Sequence, residues 1–343
     1  MRFFYFLLLF SLAYAVPAEL EVLKQTQVGV EINRTYTISI ENGIPGLTAL
    51  AGKTYTTNVV EKTTGLFLNN DGDIMAPSLT DERYEKKALS QVSEEIMQDV
   101  AKVEHIKKFG REPDNQEIID YINYFKKEYG DIASMYGKFK IKKDYETFTV
   151  LYQLDRIPAQ FISDENGVML LEIPAGNYPA ISLVNKSIAN GSKLYAIDQN
   201  ESKTIVVEDS NLSEISVDKK VNDGSIVLDE NYDVVGYGIG SKIKASSSIL
   251  EQLEAQKILN NETSLTQNYL KAIKSYENGD YETAKKELEG ILRLNPEDSF
   301  AKSELAKISG RLDFGLIALV GILLLAILVI MKLTEKKRGY GRR

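Results

Sequence analysis

The chain contains no cysteine and a single histidine, His105. The first absence excludes disulfide staples, and the two together leave a zinc site few ligands to draw on. No P-loop and no dinucleotide fingerprint occurs. The acidic run Asn69-Asn70-Asp71-Gly72-Asp73 lacks the twelve-residue pattern and closing Glu of a calcium loop and reads as a tight hairpin turn. Asp223-Gly224-Ser225 does not match the Asp-Thr/Ser-Gly setting of an aspartic-protease pair. Neither a metal nor a cofactor is expected. Positive charge is scarce too, with a formal net charge of −8. With Arg2 (+1) and the last twelve residues (+5) set aside, the part between them carries −14. That balance argues against nucleic acid, or an anionic bilayer surface, as a partner.

The two ends carry their own patterns. Arg2, the apolar run FFYFLLLFSL and Ala13-Tyr14-Ala15 have the order of a signal peptide, predicted over residues 1–15. Near the other end, Phe314 to Met331 (FGLIALVGILLLAILVIM) is uncharged. At about 1.5 Å per residue it spans roughly 27 Å, so one transmembrane helix is predicted over 314–331. The tail 332–343 holds six Lys/Arg against one Glu, which predicts a cytoplasmic C-terminus and an extracytoplasmic N-terminal domain at the cell membrane. An external domain without cysteines fits a bacterial or archaeal envelope best. Six N-x-S/T sequons, at Asn33, Asn185, Asn190, Asn200, Asn211 and Asn261, are candidate N-glycosylation sites.

Between the ends lie about 300 residues, enough for two domains. Residues 20–80 are β-rich: TYTISI, KTYTTNVV and TGLFL are β-branched or aromatic runs separated by the turns ENGIPG and NNDGD. A second β-rich portion, 138–245, holds FKIKK, FTVLYQL, VMLLEI, KLYAI, KTIVVE, SIVLD and VVGYGI. Short strands at this spacing predict antiparallel sandwiches or barrels. Residues 81–136 differ. Leu89, Val92, Ile96, Val100 and Val103 recur at helical steps, Asp114 and Glu117 have capping-box spacing, and Ile118, Ile122, Phe125, Tyr129 and Ile132 form a second stripe. A helical hairpin inserted into a β domain is predicted. After Ser246, Ala272, the Gly279-Asp280-Tyr281 turn, Ala284, Leu288, Ile291 and Pro296 fall at the spacing of a tetratricopeptide (TPR) repeat, which this segment resembles. Residues 249–260 and 299–309 are expected to flank that pair, and 246–312 is read as a TPR-like helical stalk. A single repeat makes no superhelical groove.

The β region resembles the trypsin-like fold, in particular the HtrA-like serine proteases. Three stretches in the right order carry the resemblance: TGLFLNNDGDIMAPSLTD (64–81), ENGVMLLEIPAGNYPAISL (165–183) and VNDGSIVLDENYDVVGYGI (221–239), with NGSKLYAI (190–197) before the last. The resemblance implies a double β-barrel over 20–245, interrupted by the insertion at 81–136. Carried over by position, the family's catalytic histidine falls on Leu79, its aspartate on Gly167 and its serine on Asp223. The oxyanion-hole glycine two residues before the nucleophile is Val221. Leu79 accepts no proton and Gly167 has no side chain to orient a base. A carboxylate at 223 would repel the charge an oxyanion pocket stabilises. Ser225 stands roughly 6–7 Å further along the strand, and His105 lies in the insertion. The implied function is that of an inactive protease homologue holding a polypeptide partner as a scaffold, adaptor or chaperone-like factor. An active peptidase with shifted catalytic residues and a structural envelope component are the alternatives.

Overall fold

The structure is a computed structural model and describes residues 18–78, 80–198, 201–211, 213–239 and 242–309. The described residues divide into two compact units, one formed by Thr26–Glu262 and the other by residues 18–25 together with 263–309.

The larger unit contains two closed six-stranded antiparallel barrels, the double barrel expected from the sequence. Barrel 1 is built from β1 (Gln27–Ser39), β2 (Thr54–Phe67), β3 (Asp73–Pro77), β4 (Lys140–Tyr152), β5 (Asp155–Glu165) and β6 (Val168–Glu172), in the spatial order 1-2-3-6-5-4. Strict alternation sets the register of β1. Val28, Val30, Ile32, Arg34, Tyr36 and Ile38 are buried, while the residues between them are half-exposed. KTYTTNVV and TGLFL, two runs in the sequence, belong almost entirely to the single strand β2, which pairs with β1 along its whole length. β1 and β2 are therefore longer than a small barrel needs. The sheet they share with β4 carries on as a platform.

The insertion packs on that platform. It consists of α2 (Asp81–Phe109) and α3 (Asn115–Tyr129), followed by a 3-10 segment, Ile132–Lys138. Leu89, Val92, Ile96 and Val100 of the predicted stripe are buried, but Val103 is 38% exposed, because the helix has by then outrun its cover. Asp114 caps α3 with the full capping box: its carboxylate accepts from the Glu117 amide at 2.9 Å, and Glu117 accepts from the Asp114 amide at 2.9 Å. Phe125 is the buried anchor of α3. It closes against Gly46 in the β1–β2 connection, where an added Cβ would lie 2.5 Å from its ring.

Barrel 2 is smaller and comprises β7 (Lys193–Ile197), β8 (Ser202–Ser210), β9 (Glu214–Val217), β10 (Ile226–Leu228), β11 (Val234–Ile239) and β12 (Lys242–Ala245). α4 (Ser246–Ala255) packs back on β11 and β12 and is pinned by Ser246 Oγ donating to the Val234 carbonyl at 3.0 Å. Residues 256–262 stay with this unit. Asn260 makes two bonds to the Leu183 backbone, and Asn69 Nδ2 donates to the Leu259 carbonyl at 2.8 Å.

The smaller unit holds α1 (Ala18–Gln25), α5 (Ser264–Glu277), α6 (Tyr281–Leu294) and a helical stretch over 299–309. Ala272 and Ala284 are buried between α5 and α6, small enough to let the helices approach. The helix in front of this pair is α1, through Val22, whereas residues 246–255 serve the barrel. Asp298 caps the last helix by accepting from the Ala301 amide at 2.7 Å and is gripped by the Tyr269 hydroxyl.

One part of the expected fold class needs correction. Among the described residues no helix is long and apolar enough to cross a membrane. The longest, α2, sets an apolar stripe against a charged face. The predicted transmembrane helix at 314–331, the signal peptide at 1–15 and the tail at 332–343 all lie outside the described residues. The single-pass membrane topology read from the sequence therefore has no support in the fold, and the architecture is a double β-barrel with a helical insertion and a helical unit.

Candidate functional site

Of the three positions singled out by sequence, Gly167 and Asp223 lie on loops at the seam between the barrels. Leu79 is outside the described residues, but its neighbour Ser78 donates its amide to the Gly167 carbonyl at 2.8 Å. The end of β3 and the β5–β6 turn thus touch directly. Gly167 faces barrel 2, where an added Cβ would come within 3.1 Å of Ile239 on β11. From Gly238 the contact passes to the loop before β10: Gly224 donates its amide to the Gly238 carbonyl at 2.9 Å, and Gly238 donates to Ser225 at 2.8 Å. Asp223 precedes Gly224 and is half-buried.

Local backbone chemistry explains two of these residues. Asn166 and Gly167 both have positive φ, +56° and +82°, the paired left-handed conformation of a two-residue hairpin turn, for which Asn-Gly is the favoured sequence. Gly224 has φ +82°, and a Cβ there would stand 2.6 Å from the Thr64 carbonyl oxygen. Only glycine lets this loop of barrel 2 lie against β2 of barrel 1.

Two side chains that sequence reasoning missed hold the seam. Gln27, at the start of β1, donates through Nε2 to the Ile197 carbonyl at 3.1 Å and reaches the Gly224 carbonyl at 3.5 Å. Tyr237, wholly buried on β11, donates its hydroxyl to the Thr64 carbonyl at 2.5 Å. Burial, and then the nearby Asp223 carboxylate, raise the Tyr237 phenol well above its ordinary value and keep it a neutral donor. No local pattern marks these residues, because their partners lie 170 and 173 positions away. Asn222 extends the polar contacts by donating to Asp198 at 2.7 Å and Glu201 at 3.3 Å.

What chemistry does the seam offer? Asp223 supplies a carboxylate. Ser225 is 1% exposed, and its backbone is tied at both ends, the amide to Asn222 and the carbonyl to Gly238. The Ser78 hydroxyl donates to Asp164, an exposed carboxylate on β5. Val221, at the glycine position before the nucleophile position, is fully buried in the core of barrel 2. His105 stands 24 residues beyond Asp81 along α2, roughly 36 Å by helical rise. Its Nε2 lies 3.5 Å from Glu117 of α3. Among the described residues no group of His, Cys, Asp and Glu side chains is arranged to hold a metal ion.

The sequons scatter. Asn33 sits in the middle of β1 with its Oδ1 buried. Asn185, Asn190 and Asn211 are exposed on loops of the barrel 2 half, and Asn261 is exposed with its amide bonded to the Leu68 carbonyl. Asn200 is outside the described residues.

No protein-family model and no curated protein sequence matches the chain. Similar solved structures include an HtrA-type protease, AlgW, with a decapeptide, at 9% identity and a TM-score of 0.39, covering 71% of this chain and 68% of that one. The serine endoprotease from Yersinia pestis is similar at 10% identity and a TM-score of 0.36, covering 72% and 67%. An inactive mutant form of a protein from M. tuberculosis H37Rv is similar at 10% identity and 0.36, covering 71% and 91%.

Proposed function

We propose that this chain is a protease-fold protein that holds a polypeptide without cutting it, acting as a scaffold, adaptor or chaperone-like factor. One observation carries the reading. The loop that would present a nucleophile at the barrel seam presents Asp223, while the chain's only histidine, His105, belongs to the insertion, 24 residues and roughly 36 Å of helical rise beyond Asp81 at the start of α2, where it faces Glu117 of α3. A hydroxyl needs an adjacent base to attack a carbonyl. In this reading Leu79, Gly167 and Asp223 are the degenerate counterparts of histidine, aspartate and serine. Gly167 has become an ordinary turn glycine, and Val221 has been taken into the hydrophobic core.

The binding half rests on what the seam keeps. Gln27, Tyr237 and Gly224 still lock the two barrels together around the loop. A seam fixed in advance lowers the ordering cost of binding an extended chain whether or not it is cut. Fluorescein-labelled unfolded casein tests both halves. The expected result is a rise in anisotropy on adding the full chain, with no fluorescent fragments after prolonged incubation. Fragments that appear with wild type and vanish with Ser225→Ala would overturn the non-hydrolytic half. Unchanged anisotropy would overturn the binding half.

A further inference from the structure

We propose that the cleft at the free end of the helical insertion, between the last turns of α2 and the outer face of α3, binds a polypeptide segment carrying Lys or Arg beside an apolar side chain. This rests on the reading of the chain as a polypeptide binder and assigns the contact to the insertion rather than to the barrel seam.

The cleft has a volume of about 740 Å³ and is lined by Glu104, His105, Phe109, Asp120, Tyr121 and Tyr124, among others. That volume lies within the roughly 300–1,000 Å³ of established ligand pockets. Its apolar surface exists because α2 outruns the sheet that covers Leu89 to Val100. Phe109 is 57% exposed and Tyr124 53%, with Ile106 and Ile119 exposed on the same two helices. The rings are held in place: His105 and Phe109 lie 4.5 Å apart and Tyr121 and Tyr124 6.2 Å apart, between centroids. Aromatic faces fixed by their neighbours accept cations and aliphatic stems at little entropic cost.

Charge selects the partner. Arg111 clamps Glu117 at 2.5 and 2.8 Å, which neutralises that carboxylate. Glu104 and Asp120 form no ion pair among the described residues; Asp120 accepts only a neutral bond, from Gln116 at 2.9 Å. Two lysines also line the cleft, Lys107 and Lys108, but both stand in the last turn of α2, where the negative end of the helix offsets part of their charge. Lys108 also leans over Phe109 at 5.0 Å, so this ring already attracts an ammonium. What remains open to a partner is a pair of carboxylates beside three aromatic rings. That combination complements an arginine or lysine flanked by an aliphatic residue.

Fluorescence anisotropy on the full chain provides the test, with two labelled decapeptides as probes, one alternating Leu with Arg and its counterpart alternating Leu with Glu. The Leu/Arg peptide should bind. The double variant Glu104→Gln/Asp120→Asn should weaken it about tenfold, as should Tyr124→Ala, and raised salt should weaken it further. Asp120 and Tyr124 are exposed and Glu104 is half-buried without an ion pair among the described residues, so an unchanged melting temperature is expected and shows that folding is intact. Equal or tighter binding of the Leu/Glu peptide would overturn the assignment. So would an oligomeric state that changes in the double variant, since the cleft would then be a contact between copies. Leu/Arg binding that survives these variants but falls with Asp223→Asn would move the contact to the seam, leaving the polypeptide-binding reading intact. No binding of either peptide would sink both.

Discussion

The two barrels share strand number and closure but differ in how far their strands overshoot. In barrel 1, β1, β2 and β4 run to 13 or 14 residues, and their overhang carries the insertion. In barrel 2 the longest strand is nine residues and β10 only three, so nothing extends beyond closure. Growth has gone to one barrel and the loop bearing Asp223 to the other. The small barrel depends on the large one to hold that loop, through Gln27, Thr64 and Tyr237. Additions to a fold are tolerated where strands can lengthen outward. A loop squeezed between two bodies leaves no such freedom.

The largest effect is expected where the insertion meets barrel 1. Arg34 is 5% exposed, stacks 3.9 Å over Tyr84 and pairs with Asp81 at 2.8 Å and with Glu146. Arg34→Ala should cost about 3 kcal/mol, because it removes a buried guanidinium from the Tyr84 ring and from half-buried Glu146, which keeps only Lys143 at 3.1 Å. Urea denaturation followed by circular dichroism would measure it. A loss under about 1 kcal/mol would mean that the insertion is not keyed to the sheet through this pair.

Gly224→Ala is the matching test at the seam. The new methyl would clash with the Thr64 carbonyl at a positive φ, so a loss of about 2–3 kcal/mol is expected from the same measurement. If alanine is tolerated, the two barrels are less tightly joined at this loop than the geometry requires.

Smaller, and opposite in sign between the barrels, are the effects of two turn carboxylates. In barrel 1, burial is the main force raising Asp73, with Glu172 and Asp71 adding to it against the Asn69 hydrogen bond. In barrel 2, burial also works against the Asp229 charge. It is outweighed by the Lys186 ammonium and by the amides of Asp233 and Asn231, and the carboxyl is held below its usual range. The signs follow from linkage. A raised Asp73 contributes stability that is complete below its unfolded pKa and is lost as pH rises through the folded value. A lowered Asp229 contributes stability that is complete above its unfolded pKa and is lost as pH falls through the folded value. Asp229→Asn should therefore destabilise at neutral pH, by about 1–2 kcal/mol, and converge on wild type in acid. Asp73→Asn should be neutral or slightly stabilising at neutral pH, by up to about 1 kcal/mol. Urea midpoints from about pH 7 to about pH 3 would check both, and curves of the same sign would break the contrast.

The division between what was legible in the sequence and what was not follows range. The Asp114–Glu117 capping box, the Asn69–Asp73 turn, the buried Ala272 and Ala284 and the helical stripe from Leu89 to Val100 are local, and each is written in neighbouring residues. Loss of burial at Val103 depends on where the sheet ends, which no helical period encodes. Joining two β-branched runs into one β2 required knowing that β1 pairs along all of it. The seam was legible only as an order of motifs. The side chains that hold it, Gln27 and Tyr237, make contacts across more than half the larger unit. The place of α1 against α5 is equally non-local, since its partners lie at the other end of the described chain.

Labelling with a fluorophosphonate probe, read by intact mass and peptide mapping on the full folded chain, tests the central claim most directly. A serine made nucleophilic by a neighbouring base reacts with this reagent, and an unactivated one does not. The account predicts no mass addition at neutral pH under conditions that label trypsin completely. Stoichiometric addition at one serine, with Ser225 and Ser78 the first to map, would show that the seam still activates a nucleophile and would contradict it.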